Sequence, residues 1–284
     1  MSEINYIPAH LLRNQLHLTE HELQKIGQLI YQRAGIVINS QKREMVLNRL
    51  SQRLRVLSLN TFSQYINILE SHSEHPEWQN FINSLTTNLT SFFREAYHFP
   101  VLAEHANARG GSYRVWCTAA STGEEPCSIA MTLDEAIGPS NVGARVWASD
   151  IDTKVLAKAE SGVYRISDLH SLTPVQKRQY FLRGAGENET LVKVKPELMA
   201  AINYQHLNLL EPGWPLPGPF DAIFCRNVMI YFDTATQTRL LERFARTLKP
   251  GGLLFVGHSE HFNHTHIPLR LRGQSIYELK ESTL

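Results

Sequence analysis

Apolar positions change their spacing part-way along the chain, and the change divides it. Between Thr19 and Leu85 they recur every three or four residues. Leu23, Ile26, Leu29 and Ile30 make one such stripe, and Val46, Leu50, Leu54 and Leu57 another. A period near ~3.6 residues is the mark of an amphipathic helix. The first helix is opened by a capping box, Thr19 with Glu22, and stopped by Gly35. The second runs from about Gln41 to Leu57. Thr61 with Gln64 opens a third, and Pro76 in a first turn opens a fourth carrying Trp78, Phe81 and Leu85. The pattern predicts a helical domain with its linker over residues 18–90, behind a loose arm at residues 1–17.

From Tyr113 onward short apolar runs replace the stripes. Strands are predicted at Tyr113–Thr118, Arg145–Ser149, Ile202–Leu207, Ala222–Cys225 and Leu253–Gly257. Most are separated by helical stretches such as Thr234–Leu248, which implies a parallel sheet with crossover helices over residues 91–284. Lys249-Pro250-Gly251-Gly252 reads as a stop and turn before the fifth strand, and Leu269–Leu279 as two short strands around Gly273. The rhythm fails between residues 162 and 203. There Pro174–Tyr180 reads as a helix and Leu191–Val194 as a strand, an insertion carrying a small antiparallel sheet. Its exposed edge either pairs with an extended peptide or is a stabilising flap.

The chemistry gathers at strand ends. Arg114–Ala130 is a strand, a turn of small residues and a helix opened by Pro126, the first unit of a nucleotide-binding α/β sheet. Glu124 and Glu125 stand where a pyrophosphate would be cradled, so NAD or ATP is disfavoured and a cationic ligand favoured. S-adenosylmethionine carries an ammonium and a sulfonium. Asp150 ends the second strand, where an acid accepts ribose hydroxyls, although Asp also caps helices. Arg226, Asn227 and Tyr231 follow the fourth strand at the sheet's ligand-binding edge, where Asn227 and Tyr231 equally suit local turn bonds.

Composition narrows the class. The chain has 284 residues, 43% of them apolar, and a formal net charge of +1, which speaks for a globular protein and against bulk binding of nucleic acid or membrane surfaces. No apolar run reaches the length of a membrane span, and Pro8, His10 and Arg13 stand where a signal peptide needs an apolar core. A cytoplasmic protein is expected. Cys117, Cys127 and Cys225 read as free thiols. His258, His261, His264 and His266 read as a solvated loop, and no metal is expected. On the second helix Lys42, Arg49 and Arg53 share an arc of about 40°. It is either a solvated face or a docking face for an acidic protein.

Residues 87–95, TNLTSFFRE, precede an AASTGEEP turn, an SDID strand end and a CRNVMIYF segment. In that order, and over almost the whole chain, they resemble the CheR-type chemotaxis methyltransferases, the enterobacterial members above all. The resemblance implies a class I, Rossmann-like S-adenosylmethionine methyltransferase sheet with an all-α N-terminal domain and the inserted β subdomain. The implied activity is methylation of chemoreceptor glutamates during adaptation, with S-adenosylhomocysteine as product. It also implies roles for single residues. Asn88, Thr90 and Arg94 match cofactor contacts, Arg94 also near the reacting centre. Glu125 matches the carboxylate at the cofactor's cationic end and Asp150 the one at its ribose. Asn208 and Leu209 match adenine-lining positions, Arg226 and Asn227 complete the pocket, and Tyr231 stands beside the methyl group. Lys42, Arg49 and Arg55 face the receptor's acidic methylation region, and the sheet near Arg183 and Gly186 takes a receptor's C-terminal peptide. A monomer is expected. The first turn departs from the wider methyltransferase pattern in having only Gly123.

A glutamate acceptor, with a pKa of about 4.3, is already ionised at neutral pH, so no general base and no Ser-His-Asp or Cys-His set is needed. Methylation of nucleic acid or of a small-molecule nitrogen is disfavoured, because Asn227-Val228-Met229-Ile230 lacks the proline-containing turn of those enzymes. A cofactor-binding sensor without activity is the remaining rival.

Overall fold

The computed structural model describes residues 16–140, 143–262 and 267–280, so most of the expected N-terminal arm lies outside the described residues. The chain divides into two compact units, one up to Thr87 and one from Asn88 onward.

In the first unit, helices α1 (Glu20–Ala34), α2 (Arg43–Val56), α3 (Phe62–Ser71) and α4 (Glu77–Leu85) bury the predicted stripes except Leu57, which lies beyond the end of α2, and Trp78, both half-buried. Both capping boxes form with both of their bonds, and Gly35 takes the left-handed conformation at φ 70° that ends α1. The second helix starts later than its sequence suggests. Ser40–Lys42 is a 3-10 turn, which leaves Lys42 off the α-helical arc.

Arg53 is turned inward. Its Nε and Nη2 donate to the two oxygens of Glu77 at 2.8 and 2.7 Å, and the Tyr65 hydroxyl donates to the same carboxylate at 2.8 Å. Glu77 is only 3% exposed. Burial alone would raise its pKa, but the bonds from Arg53 and Tyr65 outweigh that and hold it below the usual range. Glu77→Ala is expected to lower the stability of this unit by about 3–5 kcal/mol in urea unfolding, because it strands a mostly buried guanidinium. Since the folded pKa is depressed, the wild-type contribution is present above the unfolded value of 4.5 and is lost as pH falls through the folded one.

The second unit begins with a turn-rich segment and α5 (His98–Arg109). The remaining elements are β1 (Val115–Cys117), α6 (Glu124–Ile137), β2 (Val146–Asp150), α7 (Thr153–Ser161), β3 (Val163–Arg165), α8 (Pro174–Tyr180), β4 (Phe181–Arg183), β5 (Leu191–Val194), β6 (Ile202–His206), β7 (Phe220–Cys225), α9 (Thr234–Thr247), β8 (Leu248–Val256), β9 (Leu269–Gly273) and β10 (Ile276–Leu279). The main sheet has the order β6-β2-β1-β7-β8-β10-β9. Its first five strands are parallel, and β10 runs antiparallel to both neighbours. Strands covered on both faces need apolar residues at every position. Accordingly Cys117, Phe224 and Phe255 pack on one face, and Trp116, Ile223 and Leu254 on the other. The insertion folds as an antiparallel sheet of order β3-β5-β4, and among the described residues β4 pairs with β5 alone.

Two local readings are corrected. The helix after β1 starts at Glu124, not at Pro126, so both carboxylates lie inside its first turn. Lys249–Gly252 is not a turn ahead of the fifth strand but part of β8, bulged out of the ladder. Leu248 pairs with Phe220 and Leu253 with Ala222, so Asp221 alone stands opposite the extra residues. A Cβ on Gly252 would meet the Lys249 carbonyl oxygen at 2.8 Å, so the bulge needs glycine there.

Candidate active site

The chain runs from β1 to β2 and β6 on one side and returns through β7 and β8 on the other. Beyond the carboxyl ends of β1 and β7 lies the crevice where such sheets take ligands. Asp150, 6% exposed, accepts the Ser121 N–H at 2.8 Å and the Asp152 N–H at 2.9 Å. Burial pushes its pKa up to about 6 against those two bonds. Three amides of the first turn are already bonded within the fold. Ala120 N–H is bonded to the Ser149 carbonyl, Ser121 N–H to Asp150 and Gly123 N–H to the Ala120 carbonyl. Gly123, at φ 98°, is required by its neighbour Tyr164. A Cβ there would sit 2.5 Å from the Tyr164 hydroxyl, which donates to the Thr122 carbonyl at 2.8 Å.

Glu125 is not a bare carboxylate. Arg226 Nη1 binds it at 2.7 Å, and the Cys117 thiol donates to its other oxygen at 3.3 Å. Arg226, with a side chain 1% exposed, also donates to the Arg94 carbonyl and lies 3.4 Å from Glu95. Burial raises the pKa of Glu125 even against Arg226. For Glu95 burial works the same way, but Arg226 and its hydrogen bonds prevail and hold it low. Asn227, in the left-handed region at φ 58°, donates from its side chain to Glu95 at 3.3 Å. Phe93, Glu95 and Ser121 adopt the same unfavourable conformation, at φ 51°, 53° and 48°. Glu95 and Asn227 are held there by this network, Ser121 by Asp150 and the Asn88 carbonyl, and Phe93 by its N–H bond to Ser128 Oγ at 3.0 Å.

The structure joins most of the predicted site. The Asn88 side chain donates to Asp152 at 2.8 Å and its carbonyl accepts from Ser121 Oγ at 2.9 Å. Thr90 lies half-buried on the same segment, and Arg94 Nη1 donates to the Leu89 carbonyl at 2.7 Å. Asn208 and Leu209 follow β6, beside β2, where Leu207 N–H binds the Asp150 carbonyl at 3.0 Å. Tyr231 ends a 3-10 turn, Met229–Tyr231. The remaining candidates lie elsewhere. Arg183 ends β4, and Gly186 opens the next turn. In the helical unit Lys42 donates to the Val37 carbonyl at 2.8 Å, Arg49 to the carbonyls of Leu85 and Thr86 at 3.2 and 2.5 Å, and Arg55 is exposed. His258 and His261 are exposed, while His264 and His266 lie outside the described residues. Among the described residues no three His, Cys, Asp or Glu side chains are placed to share a metal ion, and no helix is long and apolar enough to cross a membrane.

Glu260 was not legible beforehand. This buried carboxylate accepts N–H groups from Gly257 at 2.6 Å, Asn227 at 2.9 Å and Ile230 at 3.2 Å, and so clamps the loop that carries Asn227 and Tyr231. The one signal for it is a carboxylate three residues beyond a strand-ending glycine.

A five-stranded parallel sheet finished by an antiparallel hairpin, with an acid ending its second strand, is the architecture of S-adenosylmethionine-dependent methyltransferases. Two family models match this chain, "CheR methyltransferase, all-alpha domain" over residues 21–86 and "CheR methyltransferase, SAM binding domain" over residues 88–277. A chemotaxis protein methyltransferase from Klebsiella aerogenes is 60% identical over 94% of this chain and 92% of its own. Those from Escherichia coli and Salmonella typhimurium are 57% and 56% identical, each over 95% of this chain and 94% of its own. The chain belongs to the CheR methyltransferase family, as its motifs suggested.

Proposed function

We propose that this protein transfers a methyl group from S-adenosylmethionine to glutamate carboxylates of chemoreceptor signalling domains, leaving glutamate methyl esters and S-adenosylhomocysteine. The observation that carries the reading is the first turn. Its Ala120, Ser121 and Gly123 amides are bonded within the fold, and Glu124, Glu125 and Asp150 stand around it, which suits a cationic nucleoside and not a pyrophosphate. Asp150 would accept the ribose hydroxyls, and Asn208 and Leu209 would line the adenine. Asn88, Thr90, Glu125, Arg226 and Asn227 would hold the amino-acid end.

When bound, the cofactor supplies a methyl group on a positively charged sulfur, open to in-line displacement by an anionic oxygen. The residues of this chain then have placement to provide, and no proton to move. Arg94 holds the acceptor carboxylate and Tyr231 orients it. Too tight a grip by Arg94 would stabilise the ground state, so its role is orientation. Exclusion of water sharpens the attraction between the opposite charges that cancel as the bond forms.

Lys42, Arg49 and Arg55 would meet the acidic methylation region of the receptor. The open edge of β4, with Arg183 and Gly186, would pair with a receptor's C-terminal peptide. The protein would work as a cytoplasmic monomer without a metal.

The test is incubation with methyl-labelled S-adenosylmethionine and receptor-rich membranes. Label that is released as methanol by alkali, and is absent when the receptor glutamates are glutamine, is the expected result. Cofactor binding without incorporation would leave a sensor instead.

A further inference from the structure

We propose that Glu260 and Gln237 are positioning residues for the methyl transfer, fixing the turn that carries Tyr231 by its N–H groups and by its carbonyls. Glu260 fixes the backbone of Asn227 as well. The proposal rests on the glutamate-methylation reading above. A 3-10 turn of three residues, Met229–Tyr231, cannot hold itself, because so short a turn leaves most of its N–H groups and carbonyls without partners inside it. Glu260 supplies the acceptors. Its Oε1 takes the Ile230 N–H at 3.2 Å and its Oε2 the Asn227 N–H at 2.9 Å. Gln237, on α9, supplies the donors. Its Nε2 donates to the Met229 carbonyl at 2.8 Å and to the Phe232 carbonyl at 3.1 Å, so one amide group spans the turn. Tyr231 stands between the two grips, its own N–H on the Val228 carbonyl at 3.1 Å.

Glu260 is itself anchored to the end of β8. Its Oε2 also accepts the Gly257 N–H at 2.6 Å, and its own N–H donates to the Gly257 carbonyl at 2.9 Å. A Cβ on Gly257 would lie 2.8 Å from Glu260 Oε2 and 2.9 Å from Asn227 N, so carboxylate and loop can close on the strand only over a glycine. One residue on, the His258 N–H donates to Glu95, which also accepts the Asn227 side chain at 3.3 Å. Asn227 is therefore held by one carboxylate at its backbone and by another at its side chain. Both oxygens of Glu260 serve as acceptors. A glutamine of the same shape must turn its NH2 group toward an N–H on one side or the other, and one grip is lost. Glu260 and Gln237 act through Asn227 and Tyr231, not on the reacting atoms.

The experiment uses the full chain with Glu260→Gln, Gln237→Ala and Tyr231→Phe, and with Gln237→Ala and Tyr231→Phe together. Methyl transfer is measured on a soluble receptor signalling fragment, and adenosylhomocysteine affinity by calorimetry. Urea midpoints are read first, and Glu260→Asp, which keeps the charge, replaces the glutamine variant if that does not fold. Gln237→Ala should lower kcat about tenfold and leave KM for the fragment and adenosylhomocysteine affinity within about twofold, because it loosens Tyr231 alone. Glu260→Gln should lower kcat about thirtyfold and also weaken adenosylhomocysteine about tenfold, because it frees Asn227 too. In the Tyr231→Phe background, Gln237→Ala should cost less than about threefold more in kcat, since the hydroxyl it places is already gone. An unchanged kcat in either single variant overturns the proposal. A full further tenfold loss in the double variant overturns it as well, since Gln237 would then not act through Tyr231. So does an equal loss of kcat and affinity in Gln237→Ala that follows its urea midpoint, the mark of a structural role only. A wild type that binds adenosylhomocysteine but methylates no receptor sinks the functional reading alone. Calorimetry on Glu260→Gln then decides whether the hold on Asn227 stands.

Discussion

Arg226→Met is expected to abolish methyl transfer and to destabilise the α/β unit by about 3–5 kcal/mol. The guanidinium is sealed between two carboxylates from different segments, Glu125 at 2.7 Å and Glu95 at 3.4 Å, and it also donates to the Arg94 carbonyl. Its removal strands two carboxylates and frees the backbone of the residue that would orient the acceptor. Methionine fills much of the volume, so packing is not the main loss. Without the cation, Glu125 and Glu95 can remain buried only by taking up protons, and the variant should bind more protons on folding than the wild type does. Arg226→Lys keeps the charge but loses the planar fork, and should recover part of the stability and little of the activity. Urea unfolding gives the stability and labelled methyl transfer gives the activity. A variant with the wild-type midpoint would show that the cluster is not holding the crevice together.

The second large effect concerns Asp150. Asp150→Asn is expected to weaken adenosylhomocysteine binding about thirtyfold by calorimetry, the size of losing one or two charge-assisted bonds to ribose hydroxyls. The pH dependence is the sharper readout. Burial raises this carboxyl to about 6 from an ordinary 3.8. Hydroxyl donors favour the ionised form, so binding pulls the pKa down and must expel any proton already present. Wild-type affinity should therefore be flat above pH about 6 and fall by up to about tenfold per unit below it. The variant should show no such slope. For stability without ligand the sign is opposite. Because the folded pKa lies above the unfolded one, the contribution of Asp150 is fully present below about 3.8 and is lost as pH rises through about 6. A wild-type affinity that ignores pH between about 5 and 7 would exclude the acid as a ribose partner.

What could be read ahead of the structure had a local cause. Thr19 with Glu22 and Thr61 with Gln64 reach each other within one helical turn, so sequence spacing alone decides the bonds. The strand runs were legible because two covered faces demand apolar residues throughout, and Asp150 because it is polar where such a run stops. The β8 bulge was missed for the converse reason. Pro-Gly-Gly ordinarily breaks a chain locally, and only the partner strand shows that the ladder resumes beyond it.

By itself, then, the sequence determined the helical unit, the presence of the five parallel strands, the acid at the end of β2 and the motifs that carry family membership. Only the tertiary structure decided which charges meet. Arg226 and Glu125 are 101 residues apart and come together because β7 pairs directly with β1. Arg53 turns into the helical unit toward Glu77, 24 residues on, although its spacing placed it on an outward basic arc. Glu260 becomes a clamp because the chain beyond β8 folds back onto the loop after β7. Such pairings depend on strand order and on desolvation by distant segments, and neither is written in the spacing of neighbouring residues.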